Sequence, residues 1–229
     1  MLQPKKAFVL AAGLGTRMRP LTDNLPKPML EVEGRSMLDR ALDKLLEIGV
    51  EEAVVNSHYK AEVLNDHLAK RKDIKISISH EPIRLETGGG ILNGLHLIGD
   101  EPFYVISSDV VWQGSGLKDL AENYDGLGAL LVHEVARSYG YDGNGDFDLN
   151  GKSLSWKQEG KDAKYVFTGL QILNPEVFKR SAVKELGDNF PLSKLYKLYL
   201  SEFVGVENKG NWYHIGTPES LKNVKLANE

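Results

Sequence analysis

Short apolar runs that end in small or polar residues recur along the first half of the chain. Residues 7–10, 53–56 and 103–106 are runs of this kind, and their length and content of β-branched or aromatic residues are typical of buried strands. Between the first two runs, apolar residues recur at helical spacing over residues 37–46, and Gly49 then marks the end of the helix. The order strand, helix, strand predicts parallel pairing, with ligands bound at the carboxyl ends of the strands.

The alternating spacing of strands and the helical spacing of apolar residues predict further elements. Residues 74–79 alternate strictly, which predicts a strand with one solvated face, and residues 165–170 predict another strand. Asn150-Gly151 is typical of a hairpin turn, whereas helical spacing over 192–200 and Thr217-Pro218 predict two helices. We therefore expect an α/β fold: a single-domain, Rossmann-like three-layer sandwich around a mostly parallel mixed sheet.

Composition narrows the choice of partner. The chain has 229 residues and a net charge of −4, and its acids and bases are interspersed, so no basic face for nucleic acid or for a membrane surface is expected. There are no cysteines, which excludes disulfides and thiolate metal sites. No signal peptide or membrane span is recognisable. These features predict small-molecule substrates, no nucleic-acid or membrane partner, and a cytoplasmic location.

The most informative stretch is residues 10–29, directly after the first predicted strand. Small residues here allow a sharp turn and let a ligand approach the backbone amides, and they are Ala11, Ala12, Gly13, Gly15 and Thr16. Arg17, Arg19 and Lys27 add positive charge to the same loop, and three prolines restrict its backbone. Together these residues predict a binding site for a polyphosphate.

Two other phosphate-binding motifs fit this loop poorly. A dinucleotide-binding turn needs a third glycine where Met18 stands, and an acid where the next strand ends in Asn56. A P-loop needs Lys-Ser or Lys-Thr, whereas Gly15 is followed by Thr16-Arg17. A glycine turn without a ligand explains the glycines but not the three cations.

Residues 10–22, together with Pro26-Lys27-Pro28, resemble the signature of the sugar-1-phosphate nucleotidyltransferases, or nucleotide-sugar pyrophosphorylases. The resemblance implies that a sugar-1-phosphate attacks the α-phosphorus of a nucleoside triphosphate, releasing pyrophosphate and an NDP-sugar. It also implies catalytic roles for Arg17, Lys27 and Asp109. The nucleotide-binding part would span about residues 1–110 and the sugar-binding part about residues 111–229.

A second glycine cluster and one acid extend the predicted nucleotide site. Three glycines follow Thr87, where a flat base could lie against backbone as a helix starts, and the resemblance assigns this role to Thr87 and Gly88. Asp109 follows the strand over 103–106, which would place a carboxylate beside the phosphates, as Mg²⁺ requires. Residues 142–148 imitate a calcium loop, but Phe147 and Ser153 stand where that loop needs its glycine and its bidentate acid.

By resemblance, the sugar phosphate is expected to contact residues of the second half of the chain together with one residue before Asp109. These are Ser107, Gly145, Glu159, Thr168 and Gly169. His214 stands where the family usually has its second metal-binding aspartate. Either it ligates the metal, which favours Mn²⁺ or Co²⁺ over Mg²⁺, or the site uses one protein carboxylate and more water. The second alternative is the one we expect.

The choice of sugar and base depends on finer resemblance. Residues 85–91 look most like the N-acetylmuramate-1-phosphate uridylyltransferases, whereas the compact chain also suits mannose-1-phosphate guanylyltransferases. A different hypothesis is a catalytically idle protein that binds a nucleotide-sugar as a regulator, since His214 and Ser107-Ser108 depart from the family pattern. The intact Arg17, Lys27 and Asp109 argue for an enzyme.

Overall fold

The computed structural model describes residues 3–227, in which a nine-stranded sheet lies between two layers of helices. Residues 1–2 and 228–229, which the prediction of one domain over residues 1–229 includes, lie outside the described residues. The strands are β1 (Lys6–Leu10), β2 (Glu31–Val32), β3 (Arg35–Ser36), β4 (Glu52–Ser57), β5 (Lys75–His80), β6 (Phe103–Ser107), β7 (Val110–Trp112), β8 (Gly128–Glu134), β9 (Phe147–Asn150), β10 (Ser153–Trp156), β11 (Tyr165–Leu173), β12 (Phe203–Glu207) and β13 (Trp212–His214).

The helices of the described residues belong to both halves of the chain. They are α1 (Met37–Glu47), α2 (Ala61–Leu68), α3 (Thr87–Ile98), α4 (Gly116–Asn123), α5 (Glu176–Lys179), α6 (Ser181–Lys184), α7 (Leu192–Tyr199) and α8 (Pro218–Asn223). None of them is both long and apolar enough to cross a bilayer.

Within the described residues, the large sheet has the strand order β5-β4-β1-β6-β11-β8-β12-β10-β9. Strands β5, β4, β1 and β6 pair in parallel, and β12 is parallel to β8. Strand β11 is antiparallel to β6 and β8, and β10 is antiparallel to β12 and β9. Only these two strands of the sheet therefore run against the rest, which confirms the predicted mostly parallel mixed sheet.

Alternating side chains of the central strands bury both faces of the sheet. In β1, Ala7 and Val9 face a core shared with α1, α2 and α4, whereas Phe8 faces a core shared with α3 and α5 to α7. Strand β6 divides in the same way, with Tyr104 on the first face and Phe103 on the second. Burial on both faces explains why these strands are continuous apolar runs, and it confirms the three-layer arrangement.

The predicted local signals also have clear structural counterparts. Helix α1 is capped by Ser36, whose Oγ accepts from the backbone N–H of Asp39 at 3.0 Å, and Gly49 follows it with a φ of +80°. Gly151 turns the β9–β10 hairpin, and Thr217 caps α8. Strand β8 was not predicted, although residues 129–132 form an uninterrupted apolar run.

A short ladder outside the large sheet joins two distant segments. Strand β13 pairs antiparallel with β7, so that His214 lies opposite Val110. The backbone N–H of Ile215 donates to the carbonyl of Asp109 at 3.2 Å. The ladder therefore brings the end of the chain to the carboxyl end of β6.

Candidate active site

The loop after β1 is tied to the carboxyl ends of β4 and β5. The backbone N–H of Ala11 donates to Asn56 Oδ1 at 2.6 Å, and Asn56 Nδ2 donates to Glu81 Oε1 at 2.7 Å. Glu81 is wholly buried, and its other oxygen accepts from the backbone N–H of Leu85 at 2.9 Å. Asn56, where a dinucleotide-binding fold would need an acid, thus links this loop to the segment before α3.

Gly15 gives the same loop its sharp turn. Its φ of +63° lies in the left-handed region, and a Cβ there would lie only 2.9 Å from Thr22 Cγ2 and 3.1 Å from Lys27 Cβ. Thr22 Oγ1 donates to the carbonyl of Gly15 at 2.8 Å. The turn therefore packs directly against Thr22 and Lys27, and this contact requires a glycine.

Lys27 and Asp109 form an ion pair at the centre of the site. The distance from Lys27 Nζ to Asp109 Oδ2 is 2.9 Å, and the lysine side chain is only 11% exposed. Burial acts to raise the pKa of the Asp109 carboxyl, but nearby charges and hydrogen bonds, those of Lys27 first among them, together hold that pKa below its ordinary value. Asp109 is therefore ionised at neutral pH.

Three cavities share Asp109 as a lining residue. We call them the large chamber, about 390 Å³, the middle cleft, about 170 Å³, and the outer cleft, about 350 Å³. Lys27 lines the middle and outer clefts, and Ser107 lines the large chamber and the middle cleft. The Lys27–Asp109 pair therefore lies where one continuous groove changes from one compartment to the next.

The outer cleft is formed by the glycine loop and is positively charged. Gly13, Gly15, Thr16 and Arg17 line it with Lys27 and Arg84, and Asp109 is the one acid in its lining among the described residues. Loop amides and three cations around a small cleft are suited to binding a polyphosphate.

The middle cleft lies between the glycine loop and the start of α3. Ala11, Ala12 and Gly13 line one side of it, and Thr87 lines the other. Thr87 is held by its Oγ1, which accepts from the backbone N–H of Leu192 at 3.0 Å. Gly88 is buried and is absent from the lining of the described cavities.

The glycine cluster makes room for protein neighbours. A Cβ on Gly88 would lie 2.4 Å from Phe190 Cε2, and one on Gly90 would lie 2.7 Å from Glu81 Oε1. These glycines therefore allow α3 to pack closely on the segment before α7 and on Glu81. Their position at the start of a helix agrees with the sequence pattern, but close packing, rather than a flat ligand, accounts for the missing side chains.

The large chamber lies beyond Asp109, against the irregular part of β11. The pairing of β11 with β8 shifts register between Phe167 and Gln171, and Gly169 has a φ of +84° within this bulge. A Cβ on Gly169 would lie 2.9 Å from Ser107 Oγ, so the bulge fits closely against Ser107. Thr168 also lines the chamber, while its hydroxyl donates to the carbonyl of Leu131 at 2.8 Å.

Two residues expected at the sugar lie outside this lining. Gly145 has a φ of +70°, and a Cβ on it would lie 2.4 Å from the carbonyl oxygen of Ala163. Gly145 thus turns the chain so that the next residue, Asp146, lines the chamber. Glu159 is exposed in the turn after β10, and the structure does not bring it to the groove.

His214 faces the large chamber from β13. Its ring stacks on Trp212, with centroids 5.9 Å apart and an interplanar angle of 10°, and Nδ1 lies 3.1 Å from the carbonyl oxygen of Gly140. Since a carbonyl can only accept, Nδ1 carries a proton, and Nε2 is the nitrogen left for any other partner. No group of three or more His, Asp or Glu side chains suited to a metal converges within residues 3–227.

Several lining residues were not predicted from the sequence. Arg84 belongs to the outer and middle clefts, and the large chamber adds Tyr141, Trp156, Gln171, Tyr196 and Trp212. Arg84 lies four residues before the predicted glycine cluster, so that its charge was a usable signal. These chamber residues come from five separate segments, and no local pattern relates them.

The groove has two unlike compartments that share one ionised carboxylate: a cationic cleft suited to a polyphosphate and a largely apolar chamber suited to a second, bulkier group. This is the arrangement of a transferase that joins two phosphorylated substrates. The chain belongs to the nucleotidyl transferase family, whose sequence model matches residues 6–229.

Individual relatives narrow the class to enzymes acting on sugar 1-phosphates. The chain is 38% identical over 240 residues to an N-acetylmuramate alpha-1-phosphate uridylyltransferase of Caulobacter vibrioides, covering 99% of this chain and 96% of that relative. It is 30% identical to the mannose-1-phosphate guanylyltransferase catalytic subunit beta of Dictyostelium discoideum, covering 94% of this chain and 62% of that subunit. The fold matches the crystal structure of HddC from Yersinia pseudotuberculosis with a TM-score of 0.76 at 25% identity, over 95% of this chain and 96% of that one. The predicted family and enzyme class are thereby confirmed.

Proposed function

We propose that this enzyme transfers a uridylyl group from UTP to N-acetylmuramate 1-phosphate, giving UDP-N-acetylmuramate and pyrophosphate. A phosphate oxygen of the sugar 1-phosphate forms a bond to the α-phosphorus, and the bond from that phosphorus to the bridging oxygen of pyrophosphate breaks. The observation that supports this most strongly is the Lys27–Asp109 pair, 2.9 Å apart, where the chamber and the two clefts meet. The choice of sugar and base rests on the relative from Caulobacter vibrioides.

The reaction requires no general base. The second pKa of a phosphate monoester is about 6, so that its attacking oxygen is already ionised near neutral pH. The site must instead offset repulsion between two anions and hold them in line. Arg17 and Arg84 in the outer cleft would bind the β- and γ-phosphates. Lys27, which lines both clefts, would contact phosphates of both substrates.

Asp109 is the residue proposed to hold a divalent metal. One ionised carboxylate suits Mg²⁺, which commonly takes one or two carboxylates and completes its shell with water and substrate phosphates. Bound there, the ion would neutralise phosphate charge as a Lewis acid. His214 Nε2 also belongs to the chamber lining, and an imidazole ligand would favour Mn²⁺ or Co²⁺.

The two substrates are proposed to bind over different parts of the sheet. The nucleotide would lie over the part formed by about residues 1–110 and the sugar over the part formed by about residues 111–229, since the chamber is lined mainly by the second part. Ser107, Thr168 and Gly169 would contact the sugar phosphate. We propose a cytoplasmic enzyme of cell-wall nucleotide-sugar synthesis.

Guanylyl transfer to mannose 1-phosphate is a second candidate, supported by the relative from Dictyostelium discoideum. Pyrophosphate release from a matrix of UTP, GTP, CTP and dTTP against N-acetylmuramate, mannose and glucose 1-phosphates separates the two. We expect the highest kcat/KM with UTP and N-acetylmuramate 1-phosphate. A maximum with GTP and mannose 1-phosphate would establish the alternative, and no release from any pair would indicate an idle nucleotide-sugar-binding protein.

A further inference from the structure

The floor of the large chamber contains a hydrogen-bond donor that no protein group uses. Gln171 is wholly buried and lines the chamber. Its Oε1 accepts from the hydroxyl of Tyr196 at 2.8 Å, whereas its Nε2 has no partner among the described residues. A buried amide N–H without a partner is costly, and it therefore points to a group supplied by a ligand.

A second unused donor borders the same chamber. Trp156 lines it, and the indole Nε1 is buried without a hydrogen-bond partner. Only four side-chain atoms of the described residues are buried and unpaired in this way, and two of them belong to chamber residues. Both of these atoms carry hydrogens and neither can accept a bond, so that their common complement is a group that only accepts.

The charged residues in the chamber lining further restrict the chemical type of that acceptor. Asp109 and Asp146 line it, and no lysine or arginine does so within the described residues. A carboxylate accepting from Gln171 would have no lysine or arginine of the chamber lining to offset its charge, which disfavours it as the partner of these two donors. A hydroxyl would add a hydrogen of its own, whereas an amide carbonyl offers two lone pairs and no hydrogen.

The walls around Gln171 suit the rest of an acyl group. Phe147, Val166, Phe167 and Leu192 line the chamber with it, and Tyr196 packs edge-on against Phe167 with centroids 5.7 Å apart. A short alkyl group beside the carbonyl would bury its surface against these side chains.

We infer that Gln171 is a specificity-determining residue, whose amide N–H donates to the carbonyl oxygen of an acylamino substituent on the sugar. Tyr196 is a positioning residue in this arrangement, because its hydroxyl occupies Gln171 Oε1 and leaves Nε2 as the amide atom available to a ligand. The inference rests on the proposed function for the presence of a sugar 1-phosphate, and it assigns the recognition of the acyl group to one side chain.

The test compares substrates that differ only in the acyl group. Initial rates with UTP are measured for N-acetylglucosamine against glucosamine 1-phosphate, and for N-acetylmuramate against muramate 1-phosphate. In the wild type we expect kcat/KM to favour the acylated member by tenfold or more, and Gln171→Leu to reduce that ratio by about tenfold or more, the size of losing one buried hydrogen bond. The ratio, rather than the rate, reports on recognition, because a general loss of fold lowers both rates together.

Two further variants test whether a lost acyl preference comes from lost recognition or from altered packing. Gln171→Leu leaves the hydroxyl of Tyr196 without an acceptor, so the double variant Gln171→Leu/Tyr196→Phe removes both partners and is expected to lose the same preference with a melting temperature near that of the wild type. The matched control is Gln158→Leu, the same replacement at an exposed glutamine outside the chamber lining, and it should keep the wild-type ratio.

The outcomes separate this inference from the proposed function. With an active wild type, three results would overturn the role of Gln171 alone. The wild type could show no preference for the acylated substrate, it could prefer the free amine, or the acyl preference could be retained in both Gln171 variants. If no pair is turned over, the proposed function fails, and calorimetry decides the inference separately. Tighter binding of UDP-N-acetylglucosamine than of UDP-glucose, with the difference lost in Gln171→Leu, would still support it, and equal affinities would overturn it.

Discussion

The two sides of Asp109 are built on different principles. On the side of the parallel strands, the clefts are lined mainly by the loop after β1 and by the segment before α3, and they present backbone amides together with Arg17, Lys27 and Arg84. On the other side, the large chamber is lined mainly by aromatic and aliphatic side chains, with single polar groups such as Gln171 between them. Charge and backbone suit a triphosphate of any base, whereas a shaped apolar chamber can select among sugars.

The difference in construction has a structural cause. Strands β1, β4, β5 and β6 end at the same edge of the sheet, so that consecutive loops meet there without further adjustment. Around the chamber the strands change direction, and the bulge in β11 and the β7–β13 ladder are needed to bring Gly169 and His214 beside Ser107 and Asp109. The side of the two clefts, proposed to bind the nucleotide, is thus formed by neighbouring loops at one edge of the sheet, and the chamber, proposed to bind the sugar, is assembled from distant segments.

The largest expected effect lies at the border between the two sides. We expect Lys27→Ala and Asp109→Ala each to lower kcat/KM by at least about 10²-fold, the scale of losing one positioned charge contact at the reacting phosphate. Initial rates of pyrophosphate release with both substrates varied provide the measurement. Because the two side chains act as a pair, the double variant should lose much less than the product of the single losses.

Lys152→Ala is the matched control for this prediction, since Lys152 is exposed on the β9–β10 hairpin and is absent from the lining of the groove. Its kcat/KM should equal that of the wild type. A near-normal rate in Lys27→Ala or in Asp109→Ala would remove that residue from the mechanism.

A smaller and more selective effect is expected at Arg17. Its side chain is exposed at the outer cleft, away from the chamber, so that Arg17→Ala should raise KM for the nucleoside triphosphate by about tenfold while KM for the sugar 1-phosphate stays unchanged. Arg19→Ala is the control, because Arg19 is on the same loop but lies 3.6 Å from Asp23 and lines none of the three cavities. Equal increases in both KM values would mean that the two sides are not separate binding sites.

Substitution of His214 is expected to change activity and metal preference little. Since Nδ1 is engaged by Gly140 and the ring stacks on Trp212, His214→Asp should leave the order of activity with Mg²⁺, Mn²⁺ and Co²⁺ unchanged and kcat/KM within a factor of about three. Rates are measured with each ion added to metal-free enzyme. A shift of the best ion toward Mg²⁺ in the variant would identify His214 as a ligand.

The smallest expected effect concerns the free energy of unfolding, and it comes from a buried histidine. His133 in β8 is wholly buried beside Trp212, and burial lowers its pKa, with the charge of Arg137 acting in the same direction. The unfolded chain therefore binds a proton that the folded chain resists. The free energy of unfolding should fall by roughly 1 kcal/mol as the pH drops from about 7 to 5.5, through the ordinary histidine range near 6.5.

Urea unfolding of the wild type and of His133→Gln at several pH values checks this. The variant should lose the slope that His133 contributes, whereas His96→Gln, at an exposed histidine, should retain it. An unchanged slope in His133→Gln would show that other groups cause the acid sensitivity.

Much of this molecule is determined by local sequence. The continuous apolar runs of β1, β4 and β6 specify buried strands because both faces of the sheet are covered, and Ser36 and Thr217 specify helix starts because their hydroxyls satisfy free backbone N–H groups. The loop from Ala11 to Lys27 predicts a phosphate-binding site because its turn, its amides and its cations lie in one short stretch of the chain. These are short-range effects, which a linear pattern can carry.

Other features of the site are determined by contacts that form only in the tertiary structure. The ion pair between Lys27 and Asp109, the use of Asn56 as a tether and the packing role of Gly88 depend on contacts between residues far apart in sequence. The unused donor of Gln171 depends on which partners are missing around it. Whether a buried polar group is satisfied is a property of its three-dimensional surroundings, and for that reason the free donor of Gln171 could not be predicted from the sequence alone.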